Sequence, residues 1–229
     1  MIGDIMTISR LRMGTDGKGV STLITFFDCL LHCKYCINDF CHENIDNDVP
    51  RASYTPEELV RTLEKDDIYY RMSGGGIVFG GGEPLLQSAF IHEVCKLADP
   101  SWKKRIETSL NVPWRYVEPV TEDFDEWIID VKDMNLFVYK DYTGRDNINV
   151  INNMNRLKDI LDISKFHIRI PWIPEFSDDE KIRDSIKRII DILGYGVKIE
   201  EFDYIVPPEI KRHSWWDEIE DEDEEQGDE

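Results

Sequence analysis

Three cysteines, Cys29, Cys33 and Cys36, lie close together in the stretch TFFDCLLHCKYCIND. Deprotonated cysteine sulfur is a soft ligand, and three thiolates on one short loop can converge on a single iron–sulfur cluster or zinc ion. The chain has five cysteines in 229 residues, an odd number and too few for a disulfide scaffold. Clustered cysteines in a reducing compartment more often hold a metal, so this loop is predicted to be a metal site.

The spacing of the three cysteines leaves two kinds of metal site open. Zinc usually takes four protein ligands, and Cys41, His32 or His42 could complete such a site. A 4Fe-4S cluster that is held by three cysteines instead leaves one iron without a protein ligand, and a substrate or cofactor can bind there. In that case the incomplete ligand set is itself a functional feature.

The cysteine loop follows a β-prone run, and such runs alternate with helical patterns along the chain. Two helices have start signals, TPEE with Thr55 as the N-cap and SDDE with Ser177 as the N-cap. Alternation of strand and helix predicts an α/β domain with parallel strands, either an open doubly wound sheet or a partial barrel. Chemistry in both collects at the carboxyl ends of the strands. Six strands are predicted, at residues 21–27, 76–81, 105–110, 127–132, 166–173 and 197–205.

The cysteine spacing resembles that of the radical S-adenosylmethionine (SAM) superfamily, Cys-x3-Cys-x2-Cys with an aromatic residue, here Tyr35, before the last cysteine. The segment GGGEP at residues 80–84 resembles the Gly-Gly-Glu-Pro motif with which that family contacts the amino group of the cofactor. Gly81 and Gly82 are expected to let the backbone approach the ligand, and Glu83 to accept from its ammonium group. The resemblance implies a partial (β/α)6 barrel in which the three cysteines hold one 4Fe-4S cluster and Tyr35 belongs to the cofactor site.

Further segments resemble the activating enzymes of pyruvate formate-lyase and related glycyl-radical enzymes. By this resemblance Asp130, Lys132 and Arg169 lie around the methionine and ribose of the cofactor, with Lys132 also among the catalytic residues. Glu107 and Thr108 of the ETS segment are implied as ligands of a monovalent cation. The matching segments follow in the expected order between residues 3 and 193: GTDGKGVSTLITFFDC, DEWIIDVKDMN, YTGRDN and FHIRIPWIPEFSDD.

Four residues depart from the pattern of these activating enzymes. Asp28 precedes the first cysteine where glycine is usual, and Leu110 follows ETS where glycine is common. Lys18 stands where proline is usual, and Ile37 replaces the Asn or His that commonly follows the third cysteine. These differences bear on which molecule is modified.

The resemblance implies that a reduced cluster cleaves SAM to methionine and a 5'-deoxyadenosyl radical, which takes a hydrogen atom from an acceptor. An electron donor such as flavodoxin or ferredoxin is then required. In the activating enzymes the acceptor is a glycine of a partner glycyl-radical enzyme. Two alternatives stay open, a radical SAM enzyme that acts on a small molecule or peptide, and a non-catalytic metal-binding protein.

The charge of the chain is unevenly distributed. Residues 215–229 contain ten acids and no Lys or Arg, which is half of the net charge of -20. This tail is predicted to be disordered, and residues 1–214 to form the barrel domain. The acidic composition argues against binding of nucleic acid or an anionic membrane. Since there is no apolar run of about 18 residues and no signal-peptide pattern, a cytoplasmic protein is expected. A monomer is also expected.

Overall fold

The computed structural model describes residues 1–42, 51–204 and 206, and its strands form one sheet in the order β3-β1-β2-β4-β5-β6-β7-β8. Six neighbouring strands pair in parallel, in the order β2-β4-β5-β6-β7-β8. Strand β1 is antiparallel to both of its neighbours, β2 and β3. The six predicted strands correspond to β2 and to β4 through β8, so the predicted partial α/β barrel is confirmed. The strands are β1 Gly3–Met13, β2 Val20–Phe26, β3 Ala52–Tyr54, β4 Gly76–Gly81, β5 Lys103–Thr108, β6 Glu126–Asp130, β7 Phe166–Trp172 and β8 Lys198–Asp203.

Helices connect the parallel strands. The predicted start of α1 is confirmed, since the Thr55 side chain accepts from the Glu58 N–H and the Glu58 carboxylate accepts from the Thr55 N–H. The predicted cap of α7 was wrong: the Asp178 carboxylate accepts from the first backbone N–H groups, while Ser177 accepts from the N–H of Ile173. The helices are α1 Pro56–Leu63, α2 Asp67–Ser73, α3 Ser88–Leu97, α4 Trp114–Val117, α5 Leu136–Thr143, α6 Ile148–Leu157 and α7 Asp179–Leu193.

Each parallel strand presents one apolar face and one more polar face, because successive side chains of a strand point to opposite sides. On β7, Ile168 and Ile170 are fully buried in the main core, while Arg169 between them lines the interior cavity. On β6, Ile129 is buried in the same core, and Asp130 lines the cavity. The barrel therefore buries its apolar faces against the helices and holds charged side chains inside.

The two strands that the sequence patterns did not predict are β1 and β3. Strand β1 lacks apolar alternation because Thr7, Ser9 and Arg12 face the interior cavity. Its pairing with β2 is also interrupted between Ser9 and Arg12, where Leu11 has φ +57°. Strand β3 has only three residues.

Within the described ranges, the helices are all too short or too polar to cross a membrane. The predicted acidic tail, residues 215–229, lies outside the described residues.

Candidate active site

A cavity of about 540 Å³ collects nearly all the predicted site residues. It extends from the cysteine loop into the barrel interior, where side chains of β5, β6 and β7 form one wall. All the predicted residues other than Tyr35 line it: Cys29, Cys33, Cys36, Gly81, Gly82, Glu83, Glu107, Thr108, Asp130, Lys132 and Arg169.

Backbone hydrogen bonds fix the cysteine loop to its surroundings. The loop leaves β2 at Asp28, whose N–H donates to the carbonyl oxygen of Cys41 at 2.9 Å. Farther along, the N–H groups of His32 and Lys34 donate to carbonyl oxygens at the end of α5, at 2.9 and 3.0 Å. The loop that presents the three thiols is therefore held by protein contacts on both sides.

The three thiols form no disulfide and lie partly buried at the cavity. Burial raises the pKa of Cys33 to about 12 and also raises the pKa of Cys29 and Cys36, although Lys132 acts against this at Cys33 and Cys36. A bound metal cation would supply the positive charge that the thiolate forms need. Three free cysteines on one cavity fit the donor set of a 4Fe-4S cluster with one open iron.

The residues of the three sulfur atoms line the cavity, but the sulfur atoms are not grouped as the ligands of a bound metal ion are. Within the described ranges, no three His, Cys, Asp or Glu side chains are close enough to hold a metal ion as they stand. None of the three candidates for a fourth zinc ligand lines the cavity. Cys41 is fully buried with Met6 and Phe27 in an apolar cluster against which Cys29 packs, and the His32 and His42 rings stack on each other at 4.5 Å.

Four charged side chains of the cavity wall form a chain of ion pairs: three lie on neighbouring strands, and Lys132 lies two residues after β6. Arg169 binds both carboxylate oxygens of Asp130, at 2.7 and 3.1 Å, and also reaches Glu107 at 3.1 Å. The Lys132 ammonium lies 3.6 Å from Asp130. The family resemblance predicted that Asp130, Lys132 and Arg169 lie around one cofactor, and in the structure Asp130 forms ion pairs with both of the others.

Burial and pairing act in opposite directions on these groups. Burial would raise the pKa of Asp130, but Lys132 and Arg169 outweigh it and the pKa is lowered. Burial would lower the pKa of Lys132, but Asp130 outweighs it and the pKa is raised. For Glu107 burial dominates over Arg169 and raises the pKa to about 7. Asp130 and Lys132 therefore stay charged at neutral pH.

Glu83 is 1% exposed and accepts hydrogen bonds from Thr108, the last residue of β5, and from Ser109 directly after it. Its carboxylate accepts from the Thr108 hydroxyl at 2.6 Å and from the Ser109 hydroxyl and N–H at 2.7 and 3.1 Å. The two predicted cation ligands thus have other partners, Thr108 on Glu83 and Glu107 on Arg169. A monovalent cation at these two residues stays a prediction of the resemblance.

The two glycines before Glu83 are required by packing within the chain. Gly81 has φ +96°, and a Cβ there would lie 2.6 Å from the Thr25 Cβ. A Cβ on Gly82 would lie 2.3 Å from the Asp28 carbonyl oxygen. The two glycines therefore allow close approach of β4 to β2 and the cysteine loop, and the expected approach of their backbone to a ligand stays a prediction.

Two of the departures from the family pattern have a left-handed backbone. Asp28 has φ +67° and Leu110 has φ +58°. Glycine adopts this conformation without steric strain, and aspartate tolerates it better than leucine does. These two backbone conformations therefore favour glycine, and Asp28 and Leu110 adopt them with a side chain in its place.

Tyr35 is the predicted site residue that the structure places elsewhere. Its ring packs against Tyr142 and Phe176, with ring centroids 6.2 and 6.3 Å away. Its hydroxyl donates to Glu175 at 3.0 Å, and its carbonyl oxygen accepts from the Tyr204 hydroxyl. Its side chain does not line the cavity, and its cofactor role stays a prediction.

Several cavity residues were missed by the sequence patterns. They come from β1, the following loop, α5 and the end of β8: Thr7, Ser9, Arg12, Thr15, Asp16, Tyr142, Phe202 and Tyr204. Arg12 and Asp16 form an ion pair, with Arg12 Nη2 2.8 Å from Asp16 Oδ1. Asp16 and Tyr142 lie in GTDGKGVSTLITFFDC and YTGRDN, two of the segments that resemble the activating enzymes. This resemblance could have identified both as site residues.

The parallel barrel, its interior charges and the three cysteines at one cavity define a radical SAM domain. The family profile described as the radical SAM superfamily matches residues 23–189, and the chain belongs to that family.

Curated relatives are similar over different parts of the chain. The 4-hydroxyphenylacetate decarboxylase activating enzyme of Clostridioides difficile (strain 630) is 34% identical over 162 residues, 70% of this chain and 48% of that protein. The (2S)-3-sulfopropanediol dehydratase activating enzyme of Klebsiella oxytoca is 34% identical over 148 residues, 64% of this chain and 46% of that protein. The pyruvate formate-lyase-activating enzyme of Staphylococcus aureus (strain USA300) is 26% identical over 211 residues, 89% of this chain and 81% of that protein.

The chain therefore spans about half the length of the first two relatives.

Solved structures share the fold. Streptococcus suis SuiB bound to S-adenosylmethionine has a TM-score of 0.62 at 13% identity, covering 90% of this chain and 48% of that one. The structure of TYW1 with a lysine-pyruvate adduct has a TM-score of 0.55 at 14% identity, covering 84% of this chain and 67% of that one.

Proposed function

We propose that the chain is a radical SAM enzyme that activates a glycyl-radical enzyme by taking a hydrogen atom from a glycine of that partner. The observation that carries the proposal is that the three cysteines share one cavity with Glu83, in a chain similar to activating enzymes. The radical chemistry rests on membership of the superfamily, and the glycine acceptor rests on the relatives.

Cys29, Cys33 and Cys36 would hold the 4Fe-4S cluster. When bound, the cluster and SAM supply the electron transfer and the 5'-deoxyadenosyl radical. The protein contributes a preformed cavity that orients the cofactor and limits access of water.

The charges of the cavity wall suit the polar groups of SAM. Its ammonium group matches the Glu83 carboxylate, and its carboxylate matches the cationic side chains of Lys132 and Arg169. Because Lys132 and Arg169 are already oriented by Asp130, little side-chain ordering is needed when the cofactor binds.

The remaining features belong to the same proposal. The reaction requires an external electron donor, such as flavodoxin or ferredoxin. We place the enzyme in the cytoplasm as a monomer that docks on its glycyl-radical partner. Nucleic acid and membranes are not partners in this scheme.

The test is anaerobic incubation of the reconstituted protein with SAM, a reductant and candidate glycyl-radical enzymes, followed by electron paramagnetic resonance. A glycyl radical on a partner, formed together with 5'-deoxyadenosine, is expected. Formation of 5'-deoxyadenosine without a glycyl radical on any partner would favour a small-molecule or peptide acceptor. Absence of iron and sulfide after reconstitution would contradict the radical SAM chemistry itself.

A further inference from the structure

Glu83 differs from the other carboxylates of the cavity in its partners. Among the described residues, four carboxylates line the cavity: Asp16, Glu83, Glu107 and Asp130. Three of them pair with Arg or Lys, whereas Glu83 has no ion pair within the described ranges. Its partners are neutral donors on Thr108, Ser109 and Leu85. A buried carboxylate without a cationic partner is suited to receive a cationic group from a ligand.

The hydroxyl groups of Thr108 and Ser109 are oriented as donors to Glu83 by the backbone that follows them. Thr108 Oγ1 accepts from the Leu110 N–H at 2.8 Å, and Ser109 Oγ accepts from the Asn111 N–H at 3.2 Å. A hydroxyl has only one proton to donate. Since each oxygen already accepts from a backbone N–H, each O–H is directed to the Glu83 carboxylate.

The left-handed backbone of Leu110 belongs to this arrangement. With φ +58°, Leu110 turns the chain directly after Ser109, so that the next backbone N–H, that of Asn111, reaches back to Ser109 Oγ. Leu110 is fully buried, which holds the turn in place. A strained backbone conformation is retained where surrounding structure determines it, and here it directs the Asn111 N–H to the hydroxyl that donates to Glu83.

We propose that Thr108 and Ser109 are positioning residues that hold the Glu83 carboxylate in place to bind the ammonium group of SAM. The inference rests on the proposed function, because it takes SAM as the ligand. In this proposal the Thr108 hydroxyl serves as a hydrogen-bond donor to Glu83, and the Ser109 hydroxyl has the same role.

The experiment measures how the Ser109 hydroxyl and the cofactor's amino group depend on each other. SAM and an analogue with hydrogen in place of the amino group are titrated into anaerobic cluster-loaded protein, with the cluster oxidised so that the ligands are not cleaved. Binding is followed by calorimetry for the wild type and for Ser109→Ala. Hydrogen bonds to charged groups are worth enough that the variant should bind SAM about tenfold more weakly, with the affinity for the analogue changed by less than about twofold.

Two further variants and one control complete the test. Thr108→Val should repeat the selective loss, and Thr108→Ser, which keeps the hydroxyl, should restore binding. Ser164→Ala removes a serine hydroxyl that contacts a carboxylate at 2.6 Å outside the cavity, so it should change neither affinity. Iron content and thermal midpoint establish that each variant is folded and loaded.

The outcomes separate this inference from the proposed function. Equal losses for SAM and the analogue, or no loss in both the Ser109→Ala and Thr108→Val variants, would overturn the positioning role while leaving SAM as the ligand. Failure of the loaded wild-type protein to bind SAM would overturn the proposed function and the positioning role together.

Discussion

The N–H of Glu83 donates a hydrogen bond to the carbonyl oxygen of Asp28 at 2.7 Å. This contact joins the residue directly before Cys29 to the residue that accepts from Thr108 and Ser109. Asp28 can present its carbonyl oxygen in this direction because its φ of +67° turns the chain at the end of β2. The cysteine loop and the GGGEP segment are therefore one structural unit, so a change in the backbone at Asp28 should alter the structure of both.

The backbone at Asp28 predicts a stabilising substitution. Asp28→Gly should raise the free energy of unfolding by about 1 kcal/mol, because glycine adopts a positive φ without the steric strain of a side chain. Chemical denaturation of the metal-free protein measures it. Asp28→Ala serves as the control and should be less stable than Asp28→Gly, since alanine keeps the strain. The idea fails if the alanine and glycine variants are equally stable.

Leu110 has a similar positive φ but should respond in the opposite way. Leu110→Gly relieves about 1–2 kcal/mol of backbone strain, yet it removes a fully buried leucine side chain, a loss that usually costs about 3–5 kcal/mol. The variant should be less stable by about 2 kcal/mol, as measured by the same denaturation. A stabilised Leu110→Gly protein would show that the strain outweighs the packing.

The cluster ligands are predicted to be three of the five cysteines. Alanine at Cys29, Cys33 or Cys36 should abolish the cluster, because each removes one of only three thiolates at the cavity. Cys41→Ala and Cys95→Ala are the controls, since both cysteines are buried and neither lines the cavity. Both variants should stay loaded, and Cys95→Ala is the stricter control because Cys41 belongs to the apolar cluster against which Cys29 packs. Iron and sulfide analysis after anaerobic reconstitution gives the answer. A triple alanine variant that retained four irons per chain would contradict the assignment.

Lys132 is predicted to bind the cofactor. Lys132→Ala should weaken SAM binding by about tenfold to a hundredfold, because it removes a largely buried cation from the cavity wall. Arg169 still pairs with Asp130 in this variant, so the fold should survive. Lys103→Ala, which removes an exposed lysine paired with Asp125, is the control and should bind SAM normally. Unchanged affinity in Lys132→Ala would remove this residue from the site.

The sequence predicted the parts of the site that are local patterns. The cysteine spacing, GGGEP, and the charged residues Asp130, Lys132 and Arg169 each lie within or beside one strand, and parallel topology brings strand ends together. The contact of Glu83 with Thr108 joins residues 25 positions apart and depends on how β5 ends beside β4. No local pattern reports such a contact.

Strand β1 was not predicted because of its position beside the cavity. Its side chains Thr7, Ser9 and Arg12 are polar and face the cavity, so the apolar alternation that identifies a half-buried strand is missing. No sequence pattern indicated that the Tyr35 ring packs against Tyr142 and Phe176, because these residues lie far from it along the chain.

The pH dependence of stability is predicted from Glu126, at the opposite end of the barrel interior from the cysteines. Hydrogen bonding to His167 is the main cause that lowers the pKa of Glu126 to about 2, with Lys198 and Arg105 acting in the same direction and burial opposing them. Because the folded pKa lies below the ordinary value of 4.5, the ionised carboxylate stabilises the folded protein above about pH 4.5, and this contribution is lost as the pH falls towards 2. The shift corresponds to about 3 kcal/mol at neutral pH.

Glu126→Gln tests this contribution, because the variant keeps the shape of the side chain and removes its charge. The variant should be less stable than the wild type at pH 7, and the difference should shrink steadily as the pH is lowered from 4.5 towards 2. Thermal unfolding of the metal-free proteins across this pH range measures it. Glu93→Gln is the control, since Glu93 forms an exposed pair with Lys96 and such pairs contribute little. A constant difference between Glu126→Gln and the wild type at all pH values would mean that Glu126 stabilises the fold by packing or by neutral hydrogen bonds, and that its charge is not responsible.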